Sequence, residues 1–139
     1  MGSADKVFAK NLELVQPHVP EPIRAVAVFQ RKGQFSSQVW RMAGVKSFEL
    51  PDHTFLAVTD ANLYAFEAKG GFKWKVKDQL GVWPLGSFRA GRDDGGVTCG
   101  LTLDFGDGTS RQLETMTSMA NARNVEVVDL LCSASAAPA

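Results

Sequence analysis

The sequence predicts a mainly β domain: a strongly bent antiparallel sheet of six or seven strands, forming a partly open barrel, with a short N-terminal helix and a C-terminal helix. Three observations support this. After residue 20, apolar and polar residues alternate with a period of two in several segments. Turn-forming glycine, aspartate and asparagine residues separate these segments. Helical periodicity occurs only near the two ends of the chain.

Length and composition favour one domain with an ordinary hydrophobic core. The chain has 139 residues, 45% of them hydrophobic, so it needs neither disulfide nor metal to fold. We predict a single domain over 1–139, with a core from about 20 to 132 and a flexible tail over 133–139. The 15 basic and 15 acidic side chains cancel, which argues against nucleic acid as a partner. No signal segment or membrane-length apolar run is present, so the expected location is cytoplasmic.

The first third of the chain predicts one helix and one strand. Asp5–Val15 favours a helix with one apolar face, which Pro17 and Pro20 end. Ile23–Gln30 is rich in β-branched and small apolar residues and predicts a strand. The region 34–51 leaves two alternatives open, a loop with a short helix or a second strand.

The middle of the chain predicts a hairpin and two further strands. Thr54–Thr59 leads through a turn into Leu63–Ala68, and the side chains of Thr59 and Asp60 are expected to close that turn. Alternation from Phe72 to Lys77 predicts the next strand. Another is predicted from Val82 to Ala90, with Pro84 placing it at an edge or at its start.

The last third predicts a hairpin followed by a helix. The segment 91–96 is expected to be a glycine-rich loop, and the alternation from Val97 to Phe105 is the clearest strand pattern, with Leu101 and Leu103 in the core. A turn at 106–108 then leads into a strand over Arg111–Met116. Ser118–Cys132 predicts a helix that turns Val127, Leu130 and Leu131 towards the sheet, although the β-branched run 125–128 leaves a strand as an alternative.

The hairpin segment Phe55–Glu67 resembles the central hairpin of pleckstrin-homology (PH) domains and of bacterial PH-like and GRAM-like domains. In these families an apolar strand ends in Thr-Asp, turns, and resumes as Leu-Tyr-x-Phe, as Thr59-Asp60 and Leu63-Tyr64-Ala65-Phe66 do here. The resemblance implies a non-catalytic binding or scaffolding module in the cytosol that recognises a protein or peptide. The alternative it implies is a peripheral membrane module that binds anionic lipid headgroups through a basic face.

The first candidate contact surface is a stripe of lysines. Lys73, Lys75 and Lys77 alternate with apolar residues and should project from one side of a strand. They fit an anionic lipid surface or an acidic protein. They also fit a sheet edge that lysines protect from aggregation, and this is the interpretation we favour.

The second candidate surface follows the first strand. In lipid-binding PH domains, basic residues of this loop and of the next strand hold phosphates, and the resemblance assigns that role to Arg31, Lys32 and Arg41. Trp40 stands beside Arg41 and is the best candidate for an exposed aromatic contact. Arg31 and Lys32 are too few for a strong phosphate site, so a solvated loop is the favoured interpretation.

The sequence predicts neither catalysis nor a bound metal or cofactor. His18 and His53 lie beside no nucleophile motif. A zinc site would need both histidines together with Cys99 and Cys132 from unrelated elements, without any closely spaced ligand pair. Cys99 falls on the apolar phase of its strand and is expected to be a small buried hydrophobe.

Overall fold

The computed structural model describes residues 2–31, 52–70, 73–106 and 110–135. In these ranges the first helix is α1 (Ser3–Val15), followed by a 3₁₀ helix (Gln16–His18), and the last is α2 (Val125–Ser133), preceded by a second 3₁₀ helix (Met119–Asn124). The strands are β1 (Ala25–Arg31), β2 (His53–Val58), β3 (Asn62–Lys69), β4 (Lys75–Pro84), β5 (Arg89–Gly95), β6 (Thr98–Asp104) and β7 (Ser110–Met116). None of the helices within those ranges is long and apolar enough to cross a membrane.

The seven strands form one antiparallel sheet in the order β4-β3-β2-β1-β7-β6-β5. Consecutive strands pair with each other, with one exception: β4 and β5 do not pair and form the two edges of the sheet. The two halves of the sheet are joined by β1, which pairs with β7 as well as with β2. The sheet is therefore not closed. The mainly β, antiparallel fold class with a helix before and after the strands is confirmed.

Each face of the sheet is covered by a different helix. On one face, α2 packs over Phe29, Leu56, Leu101 and Leu103 through residues such as Leu131. Leu101 and Leu103 are 1% and 2% exposed, so the predicted phase of this strand is confirmed. On the other face, α1 and the segment after it pack over a second cluster, which includes Val15, Val26, Phe55, Tyr64 and Phe66.

The C-terminal helix differs from its prediction at its start. The predicted helix from Ser118 begins as the second 3₁₀ helix and becomes α-helical only at Val125. The side chain of Asn124 is buried at this change and donates to the Thr115 hydroxyl and to the Met116 carbonyl, both at 3.1 Å. Of the residues predicted to face the sheet, Val127 and Leu131 are fully buried and Leu130 is half-buried.

The predictions for β4 and β5 were wrong. The predicted strands 72–77 and 82–90 do not match the described residues, where Lys75–Pro84 is one strand with two register shifts against β3 and the next strand begins at Arg89. Residue 72 lies outside the described residues. Each shift adds one residue to β4, and the even-numbered Leu80, at the second shift, packs on the α2 face although the even-numbered Val76 packs on the α1 face. This change of face breaks the alternation that the sequence interpretation relied on.

The predicted glycine-rich loop at 91–96 is mostly strand β5, which pairs with β6 from Arg89 to Gly95. The connection between the two strands consists only of Gly96, with φ 66°, and the exposed Val97. At the other end of β5, the Ala90 N–H donates to the Ser135 hydroxyl at 2.8 Å, which attaches the start of the predicted tail to this edge. Residues 136–139 lie outside the described residues.

The β2–β3 hairpin has the predicted position, and its turn is closed by Thr59. The Thr59 hydroxyl accepts the N–H groups of Ala61 and Asn62 at 3.1 and 3.0 Å. The Asp60 carboxylate instead lies 3.4 Å from Arg24, and its side chain is 88% exposed. Thr59 is thus the residue that shapes the turn, and Asp60 forms a surface ion pair.

Candidate functional site

A cleft of about 400 Å³ opens between α1 and the sheet. Its floor comes from β1, β2 and β7, one wall from α1, and its two ends from Trp74 and the second 3₁₀ helix. The lining combines apolar side chains with several amides, one lysine and one glutamate. Residues from six separate parts of the chain therefore meet at this place.

The cleft exists because β1 and β7 separate. Among the described residues they pair at Gln30 with Glu114 and at Arg31 with Leu113, and the pairing does not extend from Gln30 towards Val28. Beyond this point the Thr115 hydroxyl donates to the Val28 carbonyl at 2.8 Å, and Asn124 in turn donates to Thr115. Side chains thus replace part of the missing backbone ladder and satisfy its polar groups.

The α1 wall is held at its N-terminal end by Arg123. This guanidinium lies 3.7 Å above the Phe8 ring and donates to Asp5 at 3.1 Å and to Glu126 at 2.7 Å. The Glu126 hydrogen bond, more than the two carboxylate charges, raises the pKa of Arg123 above its ordinary value. Arg123 therefore fixes α1 to the second 3₁₀ helix and to α2.

The C-terminal end of α1 is held by Gln16 and Glu21. The Gln16 side chain donates to the carbonyls of Val19 and Glu21 and accepts the Ile23 N–H at 3.0 Å. The segment between α1 and β1 is thereby closed on itself. Because both ends of α1 are attached, the wall of the cleft is positioned before any ligand arrives.

Glu21 then links this segment to the hairpin. Its Oε1 accepts the Tyr64 hydroxyl at 2.6 Å, the Asn62 amide at 2.9 Å and the Thr59 hydroxyl at 3.1 Å. These bonds, with that of Tyr64 the strongest, lower the pKa of Glu21 below its ordinary value. Burial first, and then the bond to Glu21, raises the pKa of Tyr64.

One end of the cleft is aromatic and the other is rich in amides. The rings of His53 and Trp74 are 4.9 Å apart, and Phe55 packs edge-on against Trp74 at 6.5 Å. At the opposite end Asn121 and Asn124 line the cleft beside the first turns of α1. Apolar and hydrogen-bonding contacts are thus available within one cavity.

The predicted lysine stripe lies apart from the cleft. Lys73, Lys75 and Lys77 are exposed, and the last two belong to β4, an edge of the sheet. In the described ranges none of the three forms an ion pair or lines the cleft. Their position at a strand edge agrees with the interpretation that they protect it.

Of the second predicted surface, Arg31 alone lies within the described residues. Arg31 ends β1 with a side chain that is 14% exposed, and it pairs with Asp52 at 2.9 Å. Its backbone N–H also donates to the Asp52 carbonyl at 3.1 Å. Arg31 therefore joins β1 to the start of β2. The predicted contacts Lys32, Trp40 and Arg41 lie outside the described residues.

The four residues considered for metal binding do not converge on one site. Cys99 is 1% exposed in the core under α2, as predicted, and Cys132 is half-buried beside the same core. Burial raises the pKa of both thiols. His53 belongs to the cleft, whereas His18 lies near Phe66, with 5.8 Å between their rings. Across the described ranges no three His, Cys, Asp or Glu side chains are grouped as metal ligands would be.

Sequence reasoning missed the cleft, and known proteins offer no guide to it. The one available signal was a polar residue on an apolar helical face: Asn11 lies four residues from both Val7 and Val15 and is 5% exposed. Comparison with family models, with curated proteins and with solved structures found no match in any of the three. The function is therefore argued from the cleft itself.

Proposed function

We propose that this chain is a non-catalytic cytosolic binding or scaffolding module that recognises a segment of a protein or peptide, and that the cleft under α1 is its recognition site. The observation that carries the proposal is a cavity of about 400 Å³ with an aromatic end, an amide-rich end and fixed walls. Cavities of roughly 300–1,000 Å³ are typical of ligand sites. Binding would cost little free energy for ordering the cleft, because both ends of α1 are already attached.

The chemistry of the lining fits a polypeptide. Asn and Gln side chains both donate and accept hydrogen bonds, so they complement the alternating N–H and C=O groups of a backbone. The Trp74 and His53 rings offer apolar surface together with polar edges, as aromatic residues do at protein interfaces. The exposed Lys10 on the α1 side adds a donor for a carbonyl of the bound segment.

The hydroxyl in the cleft has a structural partner. Thr115 donates to the Val28 carbonyl and accepts from Asn124, so its oxygen is engaged on both sides. A nucleophile instead needs a nearby base that accepts its proton. This arrangement supports binding rather than covalent chemistry.

We also propose that the fold is PH-like. The hairpin that carries the resemblance forms β2 and β3, beside β1 in the sheet. Seven antiparallel strands followed by a helix, which packs on one face of the sheet, are the arrangement that the resemblance implies. These features support the proposal, and a PH-like domain is also expected to work as a binding module.

A pair of variants on the second 3₁₀ helix tests the site. Asn121→Trp places a large ring where a lining residue stands, whereas Ala122→Trp adds the same ring at the exposed neighbouring position outside the lining. Peptides selected from a random displayed library against the wild-type protein would be titrated into both variants, with folding checked by circular dichroism. We expect at least tenfold weaker binding to Asn121→Trp and unchanged binding to Ala122→Trp.

Two results would overturn the proposal. Selected peptides that bind both variants as tightly as the wild type would place the site elsewhere. A library that yields no binding peptide, together with binding to anionic vesicles but not to neutral ones, would favour the membrane alternative. Vesicle co-sedimentation of the same three proteins completes the experiment.

A further inference from the structure

Three side chains form a row across the floor of the cleft. Gln30 on β1 pairs in register with His53 on β2 and with Glu114 on β7. Residues paired in this way point to the same face of a sheet, and neighbouring strands lie about 4.8 Å apart. The floor thus presents an aromatic ring, an amide and a carboxylate in sequence over about 10 Å.

The amide and the carboxylate both retain a free acceptor. The Gln30 Nε2 donates to Glu114 Oε1 at 2.7 Å, which leaves Gln30 Oε1 and Glu114 Oε2 for other donors. In the described part of the chain neither oxygen has a hydrogen-bonded partner, and Glu114 forms no ion pair. Lys10 on the facing helix is exposed and, within that same part, forms no ion pair with this carboxylate.

The aromatic end of the row adds a surface for a flat cation. The Trp74 ring lies 4.9 Å from the His53 ring and lines the same cleft. A guanidinium is planar, carries five donors and no acceptor, and stacks on aromatic faces. Two free acceptors beside aromatic rings match these properties, whereas an ammonium uses them less completely because it is compact and strongly hydrated.

We infer that the cleft selects an arginine side chain of its bound segment, with Glu114 and Gln30 accepting from the guanidinium and the His53–Trp74 pair flanking it. The inference rests on the proposed function, because it names the residue that the peptide site reads. Charge complementarity with Glu114 determines the choice of a cation. The planar guanidinium, which stacks on aromatic rings and is less strongly hydrated than an ammonium, determines the choice of arginine over lysine.

Four blocked peptides test the selection. They share the sequence acetyl-Gly-Gly-X-Gly-Gly-amide, with arginine, citrulline, lysine or leucine at X, and citrulline keeps the shape of arginine without its charge. Each peptide is titrated to 10 mM into ¹⁵N-labelled protein, and binding is measured from the shift of the Trp74 indole N–H signal. The Trp74→Phe variant assigns this signal. We expect the arginine peptide to bind at least tenfold more tightly than citrulline and about threefold more tightly than lysine.

Charge-removing variants locate the effect. Glu114→Gln keeps the shape of the side chain and the bond to Gln30, and should reduce the preference for arginine over citrulline to within twofold. Glu13→Gln removes the same charge from α1 outside the cleft lining and should leave the preference intact. Gln30→Met removes the second acceptor at an exposed position and should also weaken the preference for arginine over citrulline. It tests the inference independently if Glu114→Gln misfolds.

The outcomes separate the two proposals. Equal binding of the arginine and citrulline peptides in the cleft, or an arginine preference that Glu114→Gln leaves unchanged, would overturn the arginine inference and leave peptide recognition standing. If none of the four peptides shifts the Trp74 indole signal and the displayed library yields no binding peptide, both peptide recognition and arginine selection are overturned.

Discussion

The turn of the β2–β3 hairpin gives the most direct test of the structure, because the sequence assigns its closure to Thr59 and Asp60 together and the structure assigns it to Thr59. Thr59 is 1% exposed, and its hydroxyl accepts two backbone N–H groups, at 3.1 and 3.0 Å. Thr59→Val keeps the shape of the side chain and removes the oxygen. Asp60→Ala removes only a carboxylate that is 88% exposed and 3.4 Å from Arg24.

The structure predicts very different costs for these two changes. A hydrogen bond contributes about 0.5–1.5 kcal/mol net, and Thr59→Val removes two backbone bonds and the contact with Glu21, all three of them part-buried. We therefore expect a cost of about 2 kcal/mol, near the lower end of the sum, because water can replace part of these bonds. An exposed ion pair contributes about 0–1 kcal/mol. For a chain of this length, 2 kcal/mol corresponds to a fall in Tm of about 6–8 °C.

Urea denaturation followed by circular dichroism measures both variants, and an unchanged slope ensures that only stability has changed. We expect the midpoint to fall clearly for Thr59→Val and to stay near that of the wild type for Asp60→Ala. A loss of about 2 kcal/mol with Asp60→Ala and none with Thr59→Val would show that the aspartate closes the turn.

Three further predictions concern the core, the Glu21 contacts and the lysines. Leu103→Ala, at a 2% exposed position, should lower the free energy of unfolding by about 2–5 kcal/mol in urea denaturation, and an unchanged midpoint would mean that the strand faces the other way. The pKa of Glu21 is lowered in the folded state, so its contribution to stability is present above its ordinary pKa of 4.5 and is lost as pH falls through the lowered value. The stability difference between wild type and Glu21→Gln should therefore shrink on acidification, and a constant difference from pH 7 to pH 3 would refute this. Changing Lys73, Lys75 and Lys77 together to Gln should raise aggregation and leave peptide affinity unchanged. If the lysines instead bind an anionic surface, the same change should remove about 3 kcal/mol of salt-sensitive attraction to anionic vesicles.

Strands with one buried face were predictable from the sequence. In β6, Cys99, Leu101 and Leu103 are buried and alternate with more exposed or side-chain-free positions, so pattern and structure agree. Strands that lack a single buried face were not predictable from the sequence. Nearly all of β5 is exposed because it is an edge, so its charged and glycine residues resembled a loop. In β4, the two added residues interrupt the alternation midway along the strand.

The cleft was beyond prediction for a different reason: its residues become neighbours only through pairing between distant strands. Gln30 and Glu114 are 84 positions apart in the chain, and their contact depends on β1 meeting β7 at this point of the sheet. Had the pairing continued, backbone hydrogen bonds would occupy the place where Thr115 and Asn124 now satisfy the open strands. The buried amides are therefore a consequence of the same separation that makes the cleft. A polar residue on an otherwise apolar helical face, such as Asn11, is the feature by which a sequence reveals such a separation, because an amide is retained in that position where it can reach polar partners or solvent.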